Sequence, residues 1–305
     1  MIPAGNSTIG FIGVGSMGAP IARNLLRAGT SLLVHDRIPE RVEALVENGA
    51  VAAAGVAEVA GAGVVCVSLP GPAEVEAVCL GRAGLLAQMQ PGSALVNLST
   101  ISLDSCRRLD EAARSQGVAY VDAPVTGAAD GARDASLVLM VGARPEAFAL
   151  VTPIFDVIGQ RAVLVGEPPA GTAAKLLTNM LWFVHVVALS EALALGSAVG
   201  VAPELLAQVV RKSAGASWVA EHDLDNLLAG DDDVSFTLEL CCKDLRLIGE
   251  FAAEVDYAAS LATVARRWFE RARERFGPGA GELAVSRIVE RDAGVSIRAS
   301  VPAEA

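Results

Sequence analysis

An α/β domain on a doubly wound, mostly parallel sheet, followed by an all-α domain, is the fold class this sequence predicts. Three observations predict it. Short apolar, β-branched runs alternate with helix-like stretches through the first 166 residues, and such alternation builds a parallel sheet covered on both faces. The first run ends in a glycine-rich turn that opens a helix. Beyond Gly166-Glu167-Pro168-Pro169-Ala170-Gly171 the periodicity is helical throughout. The domains are therefore expected at 1–167 and 168–305.

The elements follow in order. Ser7–Gly13 is an apolar run ending in Gly, and Met17–Ala28 has helical spacing closed by Gly29. Ser31–Asp36 is a second apolar run, followed by a polar turn and a helix over Glu40–Glu47. Val64–Leu69, Ala94–Leu98, Ala119–Val121, Leu137–Val141 and Ala162–Val165 continue the strand series. Helices are then expected at about 172–200, 203–213, 217–229, 236–256 and 258–275, and the last residues, Ala299–Ala305, are expected to fray.

Composition excludes several function classes. The chain has 305 residues, 52% hydrophobic and 19% charged, with mean hydropathy +0.46, which is far from the disordered regime. The most apolar stretch, Leu176–Leu195, contains Asn179, His185, Ser190 and Glu191. A bilayer span tolerates few such groups, so the stretch reads as a helix buried on most sides in a soluble protein. The net charge is −11, and the densest basic cluster, Arg266 to Arg275, is interleaved with Glu270 and Glu274. Nucleic-acid binding needs clustered positive charge and is set aside. Five cysteines show no CxxC spacing and the N-terminus has no secretion-signal pattern. Free thiols in a reducing, cytoplasmic compartment are expected. Three widely spaced histidines suggest no metal site. The cations are 21 Arg and only three Lys, at 175, 212 and 243. Lys can lose its proton near neutral pH where its site disfavours charge, and Arg cannot.

Gly13-Val14-Gly15-Ser16-Met17-Gly18 is a G-x-G-x-x-G between the first strand and the first helix. Gly13 permits the tight turn, Gly15 lets the backbone approach a pyrophosphate, and Gly18 lets the helix pack on the strand. Ser16 and Met17 complete the turn, whose amides and helix dipole suit phosphates. Asp36 ends the second strand 23 residues after Gly13, about the distance expected for a carboxylate that binds ribose hydroxyls. It favours NAD, because it would repel the 2′-phosphate of NADP. Arg37 beside it could bind that phosphate, so NADP stays possible.

Two further segments carry candidate chemistry. Asp122-Ala123-Pro124-Val125-Thr126-Gly127-Ala128 ends a strand in a turn at the carboxyl edge of the sheet, where ligands bind in open α/β folds. Its amides suit a carboxylate; an ordinary Pro/Gly turn is the bland alternative. Gly171-Thr172-Ala173-Ala174-Lys175 opens the second domain, with Thr172 as the expected N-cap and Lys175 in the first turn. The helix dipole there disfavours the ammonium. Asn179 and Trp182 share the face of Lys175. Catalysis and a structural salt bridge are both open for that lysine. Lys243-Asp244-Leu245 read alone is a surface ion pair.

Together these pieces resemble the β-hydroxyacid dehydrogenase family, which includes 3-hydroxyisobutyrate dehydrogenases and tartronate semialdehyde reductases. The matching stretches are Ile9–Gly29, Asp122–Ala128, Gly171–Asn179, Ser190–Leu195 and Lys243–Leu245. The resemblance implies a Rossmann domain and hydride exchange between NAD(P) and a small 3-hydroxy acid or its semialdehyde. It implies Lys175 as catalytic acid/base, Asn179 as substrate orienter, and Thr126, Gly127 and Ala128 as the carboxylate cradle. Lys243 would close near the nicotinamide, which Ser68-Leu69-Pro70 and Ser99-Thr100 would line. A homodimer or homotetramer through the long helix is implied as well. The chain departs from the family pattern in places. The usual Ser-Gly-Gly turn is Thr126-Gly127-Ala128, the usual Gly-Thr-Leu is Ala135-Ser136-Leu137, and a Pro expected around Ala258–Leu261 is missing. Two rivals are an imine reductase, whose kind usually has another residue in place of Lys175, and a non-catalytic cofactor-binding protein on the same fold.

Overall fold

The computed structural model describes residues 8–299. The expected start of the first strand at Ser7 and the tail from residue 300 onward lie outside the described residues. The chain divides into two compact units, Met1–Leu176 and Leu177–Ala305.

The first unit runs β1 (Thr8–Ile12), α1 (Gly18–Arg27), β2 (Ser31–His35), α2 (Pro39–Val46), β3 (Val51–Ala52), α3 (Val56–Val59), β4 (Val64–Val67), α4 (Pro72–Cys79), α5 (Leu85–Gln88), β5 (Ala94–Asn97), α6 (Leu103–Ser115), β6 (Ala119–Asp122), β7 (Val125–Thr126), α7 (Ala128–Arg133), β8 (Leu137–Gly142), α8 (Pro145–Ile158) and β9 (Gly159–Gly166). One nine-stranded sheet results, in the order β3-β2-β1-β4-β5-β6-β8-β7, with β9 on the other edge of β8. Pairing is parallel from β3 through β6. It turns antiparallel where β8 meets β6 and β7, and β9 runs parallel to β8. The order reverses between β1 and β4, the topological switch point at which doubly wound sheets bind ligands.

Alternation along the strands sorts side chains into two cores. Ile9 and Phe11 of β1 pack on one face with Ile21, Leu25, Val34, Val96 and Phe155. Ile12 packs on the other with Val65, Val67, Leu95 and Tyr120. A slip of one residue would exchange the two sets.

The helix α9 (Ala170–Ala198) passes from the first unit into the second. There follow α10 (Pro203–Arg211), α11 (Trp218–His222), α12 (Leu224–Ala229), α13 (Leu238–Glu254), α14 (Ser260–Phe276), a 3₁₀ turn at Glu282–Ala284, and α15 (Val285–Ala293). The expected helix over 217–229 is two helices that meet at Asp223. The 3₁₀ turn and α15 extend the helical region beyond residue 275. Ala259, which leads into α14, has φ +37°, a value the proline ring cannot reach, so that one position excludes proline. Within this unit Phe183 anchors an aromatic core, its ring 5.3 Å from Phe269 and 5.2 Å from Trp182.

By length and composition α9 could cross a membrane, with a mean hydropathy of 1.6 over 18 residues. The reading of this helix as buried on most sides is corrected: only 39% of that window is buried. Leu177, Leu181 and Leu195 are exposed, because apolar residues continue around the helix beyond the stripe the core covers. All five cysteines are free and buried. Burial pushes the Cys66 and Cys79 thiols up to about 12 and Cys242 up to about 11.

Candidate active site

The cofactor loop is built by β1 and α1. Gly13 has φ +88°, a backbone state that side chains resist, and any Cβ there would overlap the Ser68 carbonyl oxygen. A Cβ at Gly18 would overlap the Gly13 carbonyl, so α1 can start this close to its strand only with glycine. A Cβ at Gly15 would meet nothing within 4 Å except the Arg41 guanidinium, 3.5 Å away. The loop is thus open on that side and faces a cation. Ser16 is exposed and Met17 half-buried beside it.

Asp36 follows β2. Its Oδ2 accepts the Val14 N–H at 2.8 Å and its Oδ1 accepts the Ile38 N–H at 2.9 Å. Arg41 lies 3.8 Å from Oδ1. The carboxylate is therefore tied to the loop itself, and each oxygen keeps lone-pair capacity for a hydroxyl. Arg37 is exposed. Arg41, on α2, is the cation beside this corner that sequence reasoning missed. It lies in the first turn of the helix after Asp36, a placement that the sequence alone does not single out. Across the switch point, Leu69 donates its N–H to the Ser99 hydroxyl at 2.9 Å, which ties the ends of β4 and β5 together. Pro70 is exposed and Thr100 half-buried beside them. A loop with bare backbone, a fixed carboxylate and a nearby guanidinium fits a dinucleotide, which Gly13, Gly15, Ser16, Met17, Gly18 and Asp36 would hold.

The turn after β6 lies at the same carboxyl edge. Thr126 belongs to β7 and pairs with Val138. Gly127 has φ +125° and Ala128 φ +52°. Ala135, which stands where the resemblance puts glycine, has φ +55°.

The expected helix start is corrected. Helix α9 begins at Ala170, two residues before Thr172, so Thr172 is inside the first turn and Lys175 is in the second. The cap comes from a distant residue: Asp122 Oδ2 accepts the Thr172 N–H at 2.7 Å, and Oδ1 accepts the Thr172 hydroxyl at 2.7 Å. Local sequence rules search neighbouring residues for a cap, and this one lies 50 residues away. Burial pushes the Asp122 carboxyl up to about 6, against the pull of hydrogen bonds from Thr172, Cys106 and Gly171. Lys175 is 7% exposed.

Asn179 is 2% exposed. In the second unit its Nδ2 donates to Asp244 Oδ2 at 2.7 Å, and Lys243 Nζ lies 3.0 Å from Asp244 Oδ1. The Lys243–Asp244 pair is not at the surface, since the Asp244 side chain is 1% exposed and that of Lys243 17%. Asp244 thus joins two expected site residues, Asn179 and Lys243, that are far apart in sequence. Trp182, one turn beyond Asn179, donates its indole N–H to Asp223 at 3.3 Å, whose carboxyl burial pushes up to about 6.

Comparison with known proteins decides the family. The profile described as the NAD-binding domain of 6-phosphogluconate dehydrogenase matches residues 8–166. That described as the NAD-binding domain of NADP-dependent 3-hydroxyisobutyrate dehydrogenase matches residues 169–289. The 2-(hydroxymethyl)glutarate dehydrogenase of Eubacterium barkeri is 35% identical, over 95% of this chain and 97% of its own length. The chain belongs to the β-hydroxyacid dehydrogenase family. A second member, the NAD-dependent L-serine dehydrogenase of Pseudomonas aeruginosa, is 40% identical over 80% of this chain and 85% of its own. Among solved structures, the 3-hydroxyisobutyrate dehydrogenase of Mycobacterium tuberculosis with L-serine has a TM-score of 0.85 at 28% identity, covering 93% of this chain and 99% of that one. Like its relatives in the family, the chain is an NAD(P)-dependent dehydrogenase acting on CH–OH groups, and its fold is the Rossmann-type domain followed by a helical region that the family shares.

Proposed function

We propose that this dehydrogenase interconverts a small 3-hydroxy acid and its semialdehyde, with Lys175 as the proton carrier. The single observation that carries this reading is the burial of Lys175 and Asn179 on successive turns of α9. A buried amine and a buried amide on one helix face need a polar task. The substrates in the names of three relatives point to the chemical class. 2-(Hydroxymethyl)glutarate, L-serine and 3-hydroxyisobutyrate share a primary alcohol one carbon away from the carbon that bears a carboxylate, and differ in the substituent on that carbon.

In this reading the Thr126–Ala128 turn holds the carboxylate through backbone amides and the Thr126 hydroxyl. Asn179, held by Asp244, orients the hydroxyl, and Lys243 closes near the reacting carbon. Bound NAD(P) supplies the hydride acceptor or donor. During oxidation neutral Lys175 takes the hydroxyl proton; during reduction its ammonium returns one to the carbonyl oxygen. Such a positioned acid/base contributes about 10²- to 10⁴-fold. NAD is the preferred cofactor, because Val14 and Ile38 hold Asp36 at the loop, where it opposes a 2′-phosphate. The domain assignment 1–167 and 168–305, a homodimer or homotetramer through the exposed face of α9, and a cytoplasmic location complete the proposal.

Replacing Lys175 with Arg tests it. Arg keeps the charge and cannot accept the proton. Turnover is expected to fall by about two to four orders of magnitude with NAD binding retained. The wild-type oxidation rate should rise with pH as Lys175 deprotonates, and that limb should vanish in the variant. Near-normal turnover with an unchanged pH profile would refute the mechanism. An imine reductase would instead turn over imines and ignore the hydroxy acids, and a non-catalytic protein would bind NAD and turn over neither.

A further inference from the structure

We propose that Asp122 is a positioning residue for Lys175: its buried carboxylate, at the end of β6, caps the first turn of α9 and holds the lysine-bearing turn in register with the carboxylate cradle. The proposal rests on the reading of Lys175 as proton carrier. It assigns to Asp122 no contact with substrate or cofactor.

The geometry is that of a cap supplied by the tertiary structure. The first amides of a helix have no acceptor within it, and a buried donor must find one elsewhere. Asp122 is 0% exposed. It takes the Thr172 N–H and hydroxyl on separate oxygens, each at 2.7 Å, and the Gly171 N–H donates to it as well. Such a two-point grip fixes rotation as well as distance. The helix start has no room to drift. A Cβ on Gly171 would stand 2.6 Å from the Met140 carbonyl oxygen and 2.8 Å from the Gly142 nitrogen, so α9 begins in direct contact with the backbone of β8. Lys175 lies three residues past Thr172, about 4.5 Å further along the axis at 1.5 Å per residue. Displacement of the cap is therefore passed to the lysine through rigid backbone. In the other direction along the chain, Thr126 comes four residues after Asp122. One carboxylate thus serves as the reference point for both the cradle and the proton carrier.

The charge has a second effect. The groups facing Asp122 are neutral donors: the Thr172 hydroxyl and N–H on α9, the Gly171 N–H, and the Cys106 thiol on α6, which lies beside the Tyr120 hydroxyl on β6. Burial pushes Cys106 and Tyr120 well above their ordinary values, so both stay protonated. A neutral cap would satisfy the amides at lower desolvation cost. An ionised one adds a negative field one turn before Lys175, which favours the ammonium and opposes the helix dipole.

The test uses the full-length enzyme, NAD and the best substrate among 3-hydroxyisobutyrate, L-serine and 2-(hydroxymethyl)glutarate. Asp122→Asn keeps the size but turns one of the two acceptor oxygens into a donor, so the donors of Thr172 and Gly171 compete for Oδ1 and the two-point grip loosens. Its kcat should fall by about 10- to 100-fold, the cost of a small misplacement at a reacting centre. The KM for NAD should stay within twofold, and the alkaline limb of oxidation should move to lower pH by about half a unit or more, since loss of the negative charge lowers the pKa of Lys175. Thr172→Val, which removes only the hydroxyl half of the grip, should also lower kcat, and Thr172→Ser should restore it. A wild-type kcat and pH limb in Asp122→Asn would overturn the proposal. Should that variant fail to fold, equal kcat in Thr172→Val, Thr172→Ser and wild type would overturn it instead. The two readings fail separately. If Lys175→Arg keeps turnover and its pH limb, the acid/base reading falls. If Lys175→Arg loses both while the Asp122 and Thr172 variants match wild type, only the positioning role falls.

Discussion

At Asp36 two backbone amides decide what a side chain can do. A carboxylate free to rotate could swing away and leave Arg37 to receive a 2′-phosphate. Here Val14 and Ile38 each hold one oxygen at 2.8 and 2.9 Å, and Arg41 stands 3.8 Å away. In the proposed binding mode the carboxylate stays beside the 2′-position, and kcat/KM with NADH should clearly exceed that with NADPH. A preference for NADPH would transfer the role to Arg37 and Arg41. Asp36→Ala should narrow or invert the ratio, because it removes the repulsion and leaves both guanidiniums in place. The interactions of this residue were half legible in the sequence. The strand end and its distance from Gly13 pointed to Asp36, but the cation beside it sits on the next helix, and nothing in a string of residues says which turn of that helix faces the loop. Asp244 was hidden for the same reason. It lies 65 residues from the Asn179 it holds, and Lys243-Asp244 reads alone as a surface pair.

Elements were legible where their burial leaves a pattern. Strands β1, β2, β4, β5, β6 and β8 are apolar runs because both of their faces are covered, and their observed bounds differ from the expected ones by one or two residues. Strands β3 and β7 have two residues each, too few for any periodicity to register. The start of α9 was placed two residues late because its cap is Asp122, outside the local window. The two ends of α7 show how an element can carry strain that its sequence conceals. Ala128 and Ala135 hold φ +52° and +55°, where a Cβ costs about 1 to 2 kcal/mol. Both stand at positions where the family resemblance puts glycine. Ala128→Gly and Ala135→Gly should each stabilise the protein by up to about 1 kcal/mol, part of the gain being offset by the entropy of the unfolded chain. Thermal or urea unfolding would measure it, and a lower stability in both variants would contradict the assignment. Ala128→Gly also widens the proposed cradle and should change KM for the hydroxy acid more than Ala135→Gly does.

For the molecule as a whole, the sequence disclosed the class of each half and the order in which they come, since composition and periodicity report burial. It did not disclose what covers the apolar residues that remain outside. Leu177, Leu181 and Leu195 on α9 are 45%, 52% and 72% exposed, and Leu205 and Val209 on α10 are 57% and 62% exposed. Large exposed apolar side chains grouped on two successive helices suit an interaction face. Light scattering at micromolar concentration should give a multiple of 31.3 kDa, and Leu181→Glu with Leu195→Glu should lower the mass toward that of one chain. A wild-type monomer would contradict the proposed assembly.

The buried thiols allow the molecule to report on its own opening. With Cys66 and Cys79 held at about 12 and Cys242 at about 11, almost no thiolate exists at neutral pH, and the thiolate is the reactive species. An alkylating reagent can then modify these positions only during excursions that expose them. Cys66, Cys79 and Cys106 fall in the first unit, Cys241 and Cys242 in the second. The rates at which the two sets acquire label therefore form two separate clocks, one for each unit, in an otherwise unaltered protein. Slowing of the first clock by NAD, with the second unchanged, would trace the stabilisation that the nucleotide confers to the unit that carries the loop.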